Sequence, residues 1–398
     1  MNDKANQLLD SLLKEIKSSE ELKVVNDQLF KRGVQTLLAA EMDAHLGYEN
    51  GDKPIGENIR NGYSEKTLKT QKGEVTIKVP RDRHGTFDPV TVPKHKTMVQ
   101  EIEDLILLLY AKGMSNFDIV DFVEKTYGVN YSPSKVSLIT NSLLDDIRDW
   151  QQRPLEAQYA VIWIDAIHYK IRQDGKVICK AAMLVLGIDM EGKQDILSIH
   201  IVENETAASW MYILNDLKIR GMEDVLFLCS DNLPGLQKAV ETSFPKTTHQ
   251  ICIVHQIRNT LKHVSYKDRK EVMSNVKAIY QAHDEPSAQH ALEMFKLKWQ
   301  SKYHQAIQSW YQNWDALTSF LAYPQEIRKL IYTTNVIESF NASLRKYTRN
   351  KKVFPNDDSA LKSIYLAAQQ IKPRWSKTRF NWSIIYNQLY IYFENRII

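Results

Sequence analysis

Apolar residues at helical spacing open the chain. Leu8, Leu9, Leu12, Leu13 and Ile16 form one stripe, and Leu29, Val34, Leu37, Leu38 and Met42 form a second. A cluster of Gly, Pro and Asn over residues 47–61 breaks the pattern. Residues 63–92 then read as strands, because Val75, Ile77 and Val79 alternate with polar positions while Pro80 and Gly85 bound short segments. Helices resume at Met98. Residues 101–112 are apolar on most faces, Gly113 stops them, and Ser115 caps a second helix that runs to Tyr127. Ser132 and Pro133 start a third, which continues through Val136, Ile139, Leu143, Leu144 and Ile147. Helix, short turn, helix, loop, helix is the layout of a helix-turn-helix DNA reader, although many small helical domains share it.

The period changes at Tyr159. Residues 159–164 are an apolar β run ending at Asp165, and residues 177–188 and 195–202 read as two further strands joined by a turn at 190–193. Residues 206–217 return to helical spacing, 225–229 form a short apolar strand, and 234–243 form another helix. A fifth strand at 250–254 leads into a helix around 256–261. The order β-β-β-α-β-α-β predicts a mixed sheet flanked by helices, the ribonuclease-H-like arrangement, rather than a simple doubly wound sheet. Residues 266–321 are polar and helical, carry Trp299, Trp310 and Trp314, and contain no convincing strand. They read as an all-helical block inserted before a last helical stretch, from Ile331, that carries Glu338.

Composition narrows the class. At 398 residues the chain has room for two to four folding units, and 43% hydrophobic with 25% charged residues is a soluble globular balance. The net charge is only +4, so its distribution matters more than its sum. Over residues 339–381 ten Lys and Arg stand against two Asp, and over 60–96 nine stand against four acidic residues. Two separated basic segments point to a polyanionic partner. Three cysteines, Cys179, Cys229 and Cys252, imply no disulfide scaffold. The first residues lack the charged and apolar regions of a secretory signal, and no apolar run approaches the length that spans a bilayer. A soluble cytoplasmic protein is expected, nucleoid-associated when bound to DNA, with no membrane partner.

Three carboxylates carry the candidate chemistry. Asp165 is read at the C-terminal end of the first core strand, and Asp231 directly follows the strand ending Leu228-Cys229-Ser230. Side chains at strand ends combine a rigid scaffold with access from the loops. If the two strands are neighbours, the carboxylates converge, and such a pair needs a cation between them or a raised pKa. Hard oxygen donors suit magnesium, and two ions about 4 Å apart can serve the attacking and leaving oxygens of a phosphodiester displacement. Glu338 is the candidate third ligand. Singly, an Asp at a strand end is more often a turn residue and a helical Glu more often solvated; the combination weakens that account.

The stretches Trp163-Ile164-Asp165-Ala166-Ile167-His168-Tyr169-Lys170, Ser230-Asp231-Asn232-Leu233-Pro234-Gly235-Leu236 and Thr333-Thr334-Asn335-Val336-Ile337-Glu338-Ser339-Phe340-Asn341 resemble the three catalytic blocks of the Mutator-like transposases. The bacterial branch typified by insertion sequence 256 is the nearest resemblance, and it extends to Asn61-Gly62-Tyr63 and Val79-Pro80-Arg81-Asp82-Arg83. It implies that Asp165, Asp231 and Glu338 form a DDE triad using two Mg²⁺ ions, with Mn²⁺ as an alternative. It also implies a ribonuclease-H-like core with a helical insertion between the second Asp and the Glu, for which the 107-residue spacing leaves room. Asn232 stands where Gly is frequent in the family and Phe340 where Leu is frequent; neither is a ligand position. The family's Cys-x-x-His element is matched by Cys252-Ile253-Val254-His255. One Cys and one His are half of a zinc site, with no partner pair nearby. A local role for His255 near the carboxylates or on a DNA phosphate is expected instead, with plain packing the alternative, and Arg258 lies one turn further on. Asn341 and Arg345 follow Glu338 on the same helical face, and Arg345, Lys346, Arg349, Lys351 and Lys352 extend it toward a DNA backbone. Tryptophans at helical spacing are usually core, yet Trp310 or Trp314 could stack on a flipped base.

The expected architecture is an α/β multidomain chain: a ribonuclease-H-like catalytic core with an all-α insertion, preceded by helical and small β-containing DNA-binding domains. Its parts are a helical segment at 1–60 for dimerisation or DNA binding, a basic β unit at 61–96, a helix-turn-helix-like domain at 97–152, the core at 155–264, the insertion at 265–328, and the closing core segment with basic helices at 329–398. The expected function is a DNA transposase that binds terminal inverted repeats and carries out Mg²⁺-dependent cleavage and strand transfer. Its partners are double-stranded DNA, as element ends and target, and a second copy in a homodimer. The alternatives are an inactive transposase-derived DNA-binding protein and a ribonuclease-H-like structure-selective nuclease.

Overall fold

The computed structural model describes residues 14, 16–54, 56–70, 73–92 and 100–397, so the repeat at Leu8, Leu9, Leu12 and Leu13 lies outside the described residues. The chain divides into two compact units, Met1–Tyr110 with Met114–Asn141, and Ala111–Gly113 with Ser142–Ile398.

In the first unit α1 (Ser19–Leu46) begins where the Ser18 hydroxyl accepts from the Glu21 amide and ends at left-handed Gly47. Strands β1 (Arg60–Thr70) and β2 (Gly73–Asp82) form an antiparallel hairpin. Leu68, Val75 and Ile77 pack with Leu38 of α1 and with Val92 into a small core. At the end of β2 the buried Asp82 carboxylate accepts from the Asn58 amide, the Thr86 hydroxyl and the backbone amides of Thr86 and Phe87. Although burial alone would raise its pKa, these bonds hold it well below the ordinary carboxylate range. Three helices follow, α2 (Gln100–Ala111), α3 (Asn116–Tyr127) and α4 (Pro133–Asn141). Ser115 and Asp118 close a capping box at the start of α3.

The third helix expected from sequence is two helices. It stops at Asn141, and α5 (Leu143–Gln152) starts beyond Ser142, where the boundary between the units falls. Val136 and Ile139 are buried before the break and Leu143 and Ile147 after it, so apolar spacing runs on across it.

The second unit is built on a five-stranded sheet. Strands β3 (Gln158–Gln173), β4 (Lys176–Asp189) and β5 (Gln194–Val202) form an antiparallel meander. After α6 (Ala207–Ile219), β6 (Asp224–Ser230) pairs parallel with β3; after α7 (Leu236–Ser243), β7 (Thr248–Ile251) pairs parallel with β6. The order is β5-β4-β3-β6-β7. Helices α6 and α7 cover one face through Trp210, Ile213, Leu214, Leu217, Leu236 and Val240. At left-handed Gly235, the N-cap of α7, a Cβ would come within 2.6 Å of Ala207, so this approach of α7 to α6 admits only glycine without strain.

The other face is covered by the rest of the chain: α8 (Ile253–Lys262), α9 (Arg269–Tyr280), α10 (Glu285–Gln312), α11 (Trp314–Thr318), α12 (Gln325–Ile331), α13 (Asn335–Thr348), α14 (Asp357–Trp375) and α15 (Trp382–Phe393). The stretch between α8 and α12 contains helices only. One side chain stitches it to the sheet. Gln250 of β7, fully buried, donates to the Ile251 and Leu317 carbonyls and accepts from the Ser319 hydroxyl and the Phe320 amide. No helix among the described residues is long and apolar enough to cross a membrane.

Gln250→Leu keeps the volume but strands the Leu317 carbonyl and the Phe320 amide in the core. It should lower stability by about 2–4 kcal/mol, seen as a lower denaturant midpoint at unchanged slope; an unchanged midpoint would remove Gln250 as the stitch.

Candidate active site

The parallel ladder between β3 and β6 ends at the pair Ile164–Ser230. Asp165 is the next residue of β3 and Asp231 the first after β6, so the two carboxylates leave the sheet at the same level. Sequence reading put Asp165 at the end of its strand, but β3 runs on eight residues to Gln173, paired with β4 and, on its other side, bridged only at Ile171 to Phe354 among the described residues. The strand end that matters is that of β6. Trp163 and Ile167, which flank Asp165 at two-residue spacing, pack in the core shared with α13 and α14, so Asp165 faces those helices.

Helix α13 and its N-cap supply the third carboxylate and one support for each of the other two. Glu338 lies in its first turn. Asn341, one turn on and only 2% exposed, donates from Nδ2 to Asp165 Oδ2 at 2.5 Å. Thr334 stands at the N-cap of the helix yet makes no side-chain cap bond. Its hydroxyl turns instead to Asp231 Oδ1 at 3.3 Å, and its backbone amide donates to Cys252 Sγ at 3.4 Å.

Helix α8 supplies the cations. His255 contacts Asp231 Oδ1 through Nδ1, and its Nε2 lies 3.3 Å from Glu338 Oε1. Arg258, one turn along, reaches both Glu338 oxygens, at 3.1 and 3.4 Å. The Cys252 amide donates to the Ser230 carbonyl and the Ile253 amide to the Tyr332 carbonyl, which fix the start of α8 against β6 and α12.

Burial, with the neighbouring Asp231 charge adding to it, pushes the Asp165 carboxyl up to about 6, despite the Ala166 and Asn341 hydrogen bonds that oppose the rise. The hydrogen bond to Asp231, helped by one to Cys252, raises His255 to about 10, so its ring is an imidazolium at neutral pH. Burial would raise the Cys252 thiol, but hydrogen bonds from His255 and Thr334 outweigh it and bring it below the ordinary value. A divalent cation fits this donor set. Asp165 and Asp231 are like charges drawn together, no cationic side chain among the described residues contacts Asp165 directly, and a hard cation offsets that repulsion.

The structure therefore brings together Asp165, Asp231, Glu338, His255, Arg258 and Asn341. Arg345, Lys346, Arg349 and Lys352 are exposed along and just after α13. Lys351 departs from the expected basic face: it is half-buried, donates to the Ser363 hydroxyl, and burial lowers it to about 7. Trp310 is fully buried and its indole donates to Thr260 in the core, so it presents no face to a base. Trp314 is partly exposed, its indole on Glu285. Sequence reasoning gave Thr334 no role; an N-cap Thr is read as a helix signal, and only the fold reveals its hydroxyl on Asp231.

Comparison with known proteins finds relatives over most of the chain. The family described as "Transposase, Mutator family" matches residues 3–378. The transposase for insertion sequence element ISRM3 of Rhizobium meliloti (strain 1021) is 38% identical over 371 residues, 93% of this chain and 92% of that protein. The transposase for insertion sequence element IS905 of Lactococcus lactis subsp. lactis (strain IL1403) is 34% identical over 340 residues, 84% and 86% of the two chains. The transposase for insertion sequence element IS256 in transposon Tn4001 of Staphylococcus aureus is 28% identical over 322 residues, 80% and 82%.

The raised Asp165 group has a signed consequence. The folded chain holds a proton on it that the unfolded chain releases near pH 3.8, so stability is lost as pH rises from there to about 6. In chelator, Asp165→Asn should therefore gain on the wild type between about pH 4 and pH 7, by on the order of 3 kcal/mol. Parallel thermal melts of the two proteins across that range would show it as diverging midpoints; a constant gap would count against a buried, charge-repelled Asp165.

Proposed function

From the premise that the chain belongs to the Mutator family of transposases, we propose that its second unit is a ribonuclease-H-like nuclease that cuts and rejoins DNA, with Asp165, Asp231 and Glu338 as metal ligands. The observation that carries this reading is the convergence of two strand carboxylates and one helix carboxylate where β6 ends. Sheet order and the helical insertion between Asp231 and Glu338 support the core assignment.

Two divalent cations, Mg²⁺ or Mn²⁺, would be held by the three carboxylates and supply Lewis acidity to an attacking hydroxyl and a leaving oxygen. The chain's own residues set the stage for that chemistry. Asn341 fixes the rotamer of Asp165, and the Thr334 hydroxyl does the same for Asp231. His255 and Arg258 orient Glu338 and present two cationic donors where a scissile phosphate must lie. Water cleaves at the element end and leaves a 3′ hydroxyl, which then attacks a second phosphodiester; a 3′ oxygen leaves in the first step and another in the second. Arg345, Lys346 and Arg349, exposed on the helix that carries Glu338, track the DNA backbone beside the cut. The first unit reads the terminal inverted repeats, and a homodimer holds two ends together.

With a labelled duplex carrying the element end and Mg²⁺, the wild type should nick and join. Asp165→Asn, Asp231→Asn and Glu338→Gln should each lower the rate by on the order of 10³-fold or more while still binding DNA. Tight end binding without metal-dependent cleavage by the wild type would leave a DNA-binding relic instead. Arg345→Ala should weaken binding uniformly across sequences and reduce the salt slope by about one; an unaltered slope would take Arg345 off the backbone.

A further inference from the structure

Cys252, His255 and Asp231 bring a sulfur, a ring nitrogen and a carboxylate oxygen within 4.8 Å of one another. Sequence spacing offers only the Cys-x-x-His half of a zinc site; the fold adds Asp231, which the stop of β6 places beside the N-terminus of α8. Magnesium takes oxygen donors and has no use for the thiol. Thiolate with imidazole is the donor set that zinc and cadmium favour, and three protein ligands with one open position is the pattern of an accessible zinc centre.

The surroundings match as well. A histidine that binds zinc through one ring nitrogen usually gives its other N–H to a carboxylate. Here the Nδ1 side of His255 faces Asp231, while Nε2 lies 3.3 Å from Glu338. The Thr334 amide donates to the Cys252 sulfur, and the Thr334 hydroxyl contacts Asp231 Oδ1, so two of the three donors are already oriented by one residue. Cys252 is 1% exposed, while the His255 and Asp231 side chains keep 29% and 23% of their surface open to an entering cation.

We propose that Asp231, Cys252 and His255 form a second metal site, specific for a thiophilic divalent cation of the zinc and cadmium class. On binding, the thiol proton and the Nδ1 proton leave to solvent, and the cation takes their place with one water as fourth ligand. Occupation withdraws Asp231 from magnesium and ties Glu338 to the back of His255. The site is thus an off-switch: a soft cation competes with the hard ones for a shared carboxylate. The inhibitory half of this inference rests on the nuclease reading given above; the binding half does not.

The test uses the full chain, freed of metal and titrated with Cd²⁺ alone. A near-ultraviolet thiolate-to-cadmium band should saturate at one equivalent. It should persist in the Cys179→Ser/Cys229→Ala protein, where Cys252 is the sole thiol, and vanish when Cys252→Ser is added. His255→Ala should keep the thiol but weaken Cd²⁺ binding by about ten- to a hundredfold. In Mg²⁺-dependent cleavage, the wild type should be inhibited by Cd²⁺ and recover as Mg²⁺ is raised, and Cys252→Ser should need about tenfold more Cd²⁺ for the same inhibition. No band, a band carried by Cys179 or Cys229, or inhibition indifferent to Cys252 would overturn the site. A chain that shows the band but never cleaves DNA would instead overturn the nuclease reading and leave the metal site standing.

Discussion

The parallel pairing of β3 with β6 stops at Ile164 and Ser230, and the geometry of the candidate site depends on that stop. Hydrogen bonding fixes neighbouring strands to within a fraction of an ångström along their length, so residues that follow the last pair on each strand emerge together. Were the register shifted by one, Asp165 would turn to the opposite face, toward α6 and α7, and its partner helix α13 would face an alanine. The gap in pairing just beyond Ile164 matters as much. With β6 ended, β3 keeps β4 on one side and meets Phe354 on the other only at Ile171, and between these points Asn341 of α13 reaches Asp165.

The second constraint is the return of the chain. Glu338 lies 107 residues after Asp231, and a carboxylate delivered at the end of so long an excursion needs its insertion anchored on the way. Gln250 does this at the exit, binding β7 to the α11–Phe320 segment, and the Ile253 amide on the Tyr332 carbonyl does it at the re-entry. Thr334 then joins the N-terminus of α13 to both α8 and Asp231. The excursion is thus braced at both ends rather than left as a tethered loop, which is what placing the Glu338 carboxylate to a fraction of an ångström requires.

Much of this was legible because the sheet is patterned plainly. The apolar runs at 159–164, 177–188 and 225–229 all fall in strands, and the order of strands and helices in the core follows from them. The end of β3 was misread because a strand buried on both faces becomes one buried on a single side: after Ile164 only Ile167 and Ile171 stay buried, among exposed His168 and Lys170. The break between α4 and α5 was hidden by apolar spacing that continues through it. Charge counting placed Lys351 on the basic face, but composition carries no direction, and the side chain folds toward Ser363. The meeting of Thr334 with Cys252 and Asp231 joins residues 82 and 103 apart, and no local pattern encodes it.

The partners given to the three carboxylates are unequal. Asp231 and Glu338 share His255, and Glu338 also has Arg258, all of them cationic. Among the described residues Asp165 has only the neutral amides of Asn341 and its own neighbour Ala166 as hydrogen-bond donors. An amide orients a carboxylate without neutralising it, so Asp165 keeps its full demand for positive charge while its position is fixed. A lysine at residue 341 would satisfy that demand permanently and leave an ion pair with little left to offer a metal. The choice of Asn also leaves an acceptor: its buried Oδ1 has no hydrogen-bond partner among the described residues. The cations on α8 and the amide on α13 thus divide the three carboxylates, the first pairing Asp231 and Glu338 with charge, the second aiming Asp165 without neutralising it.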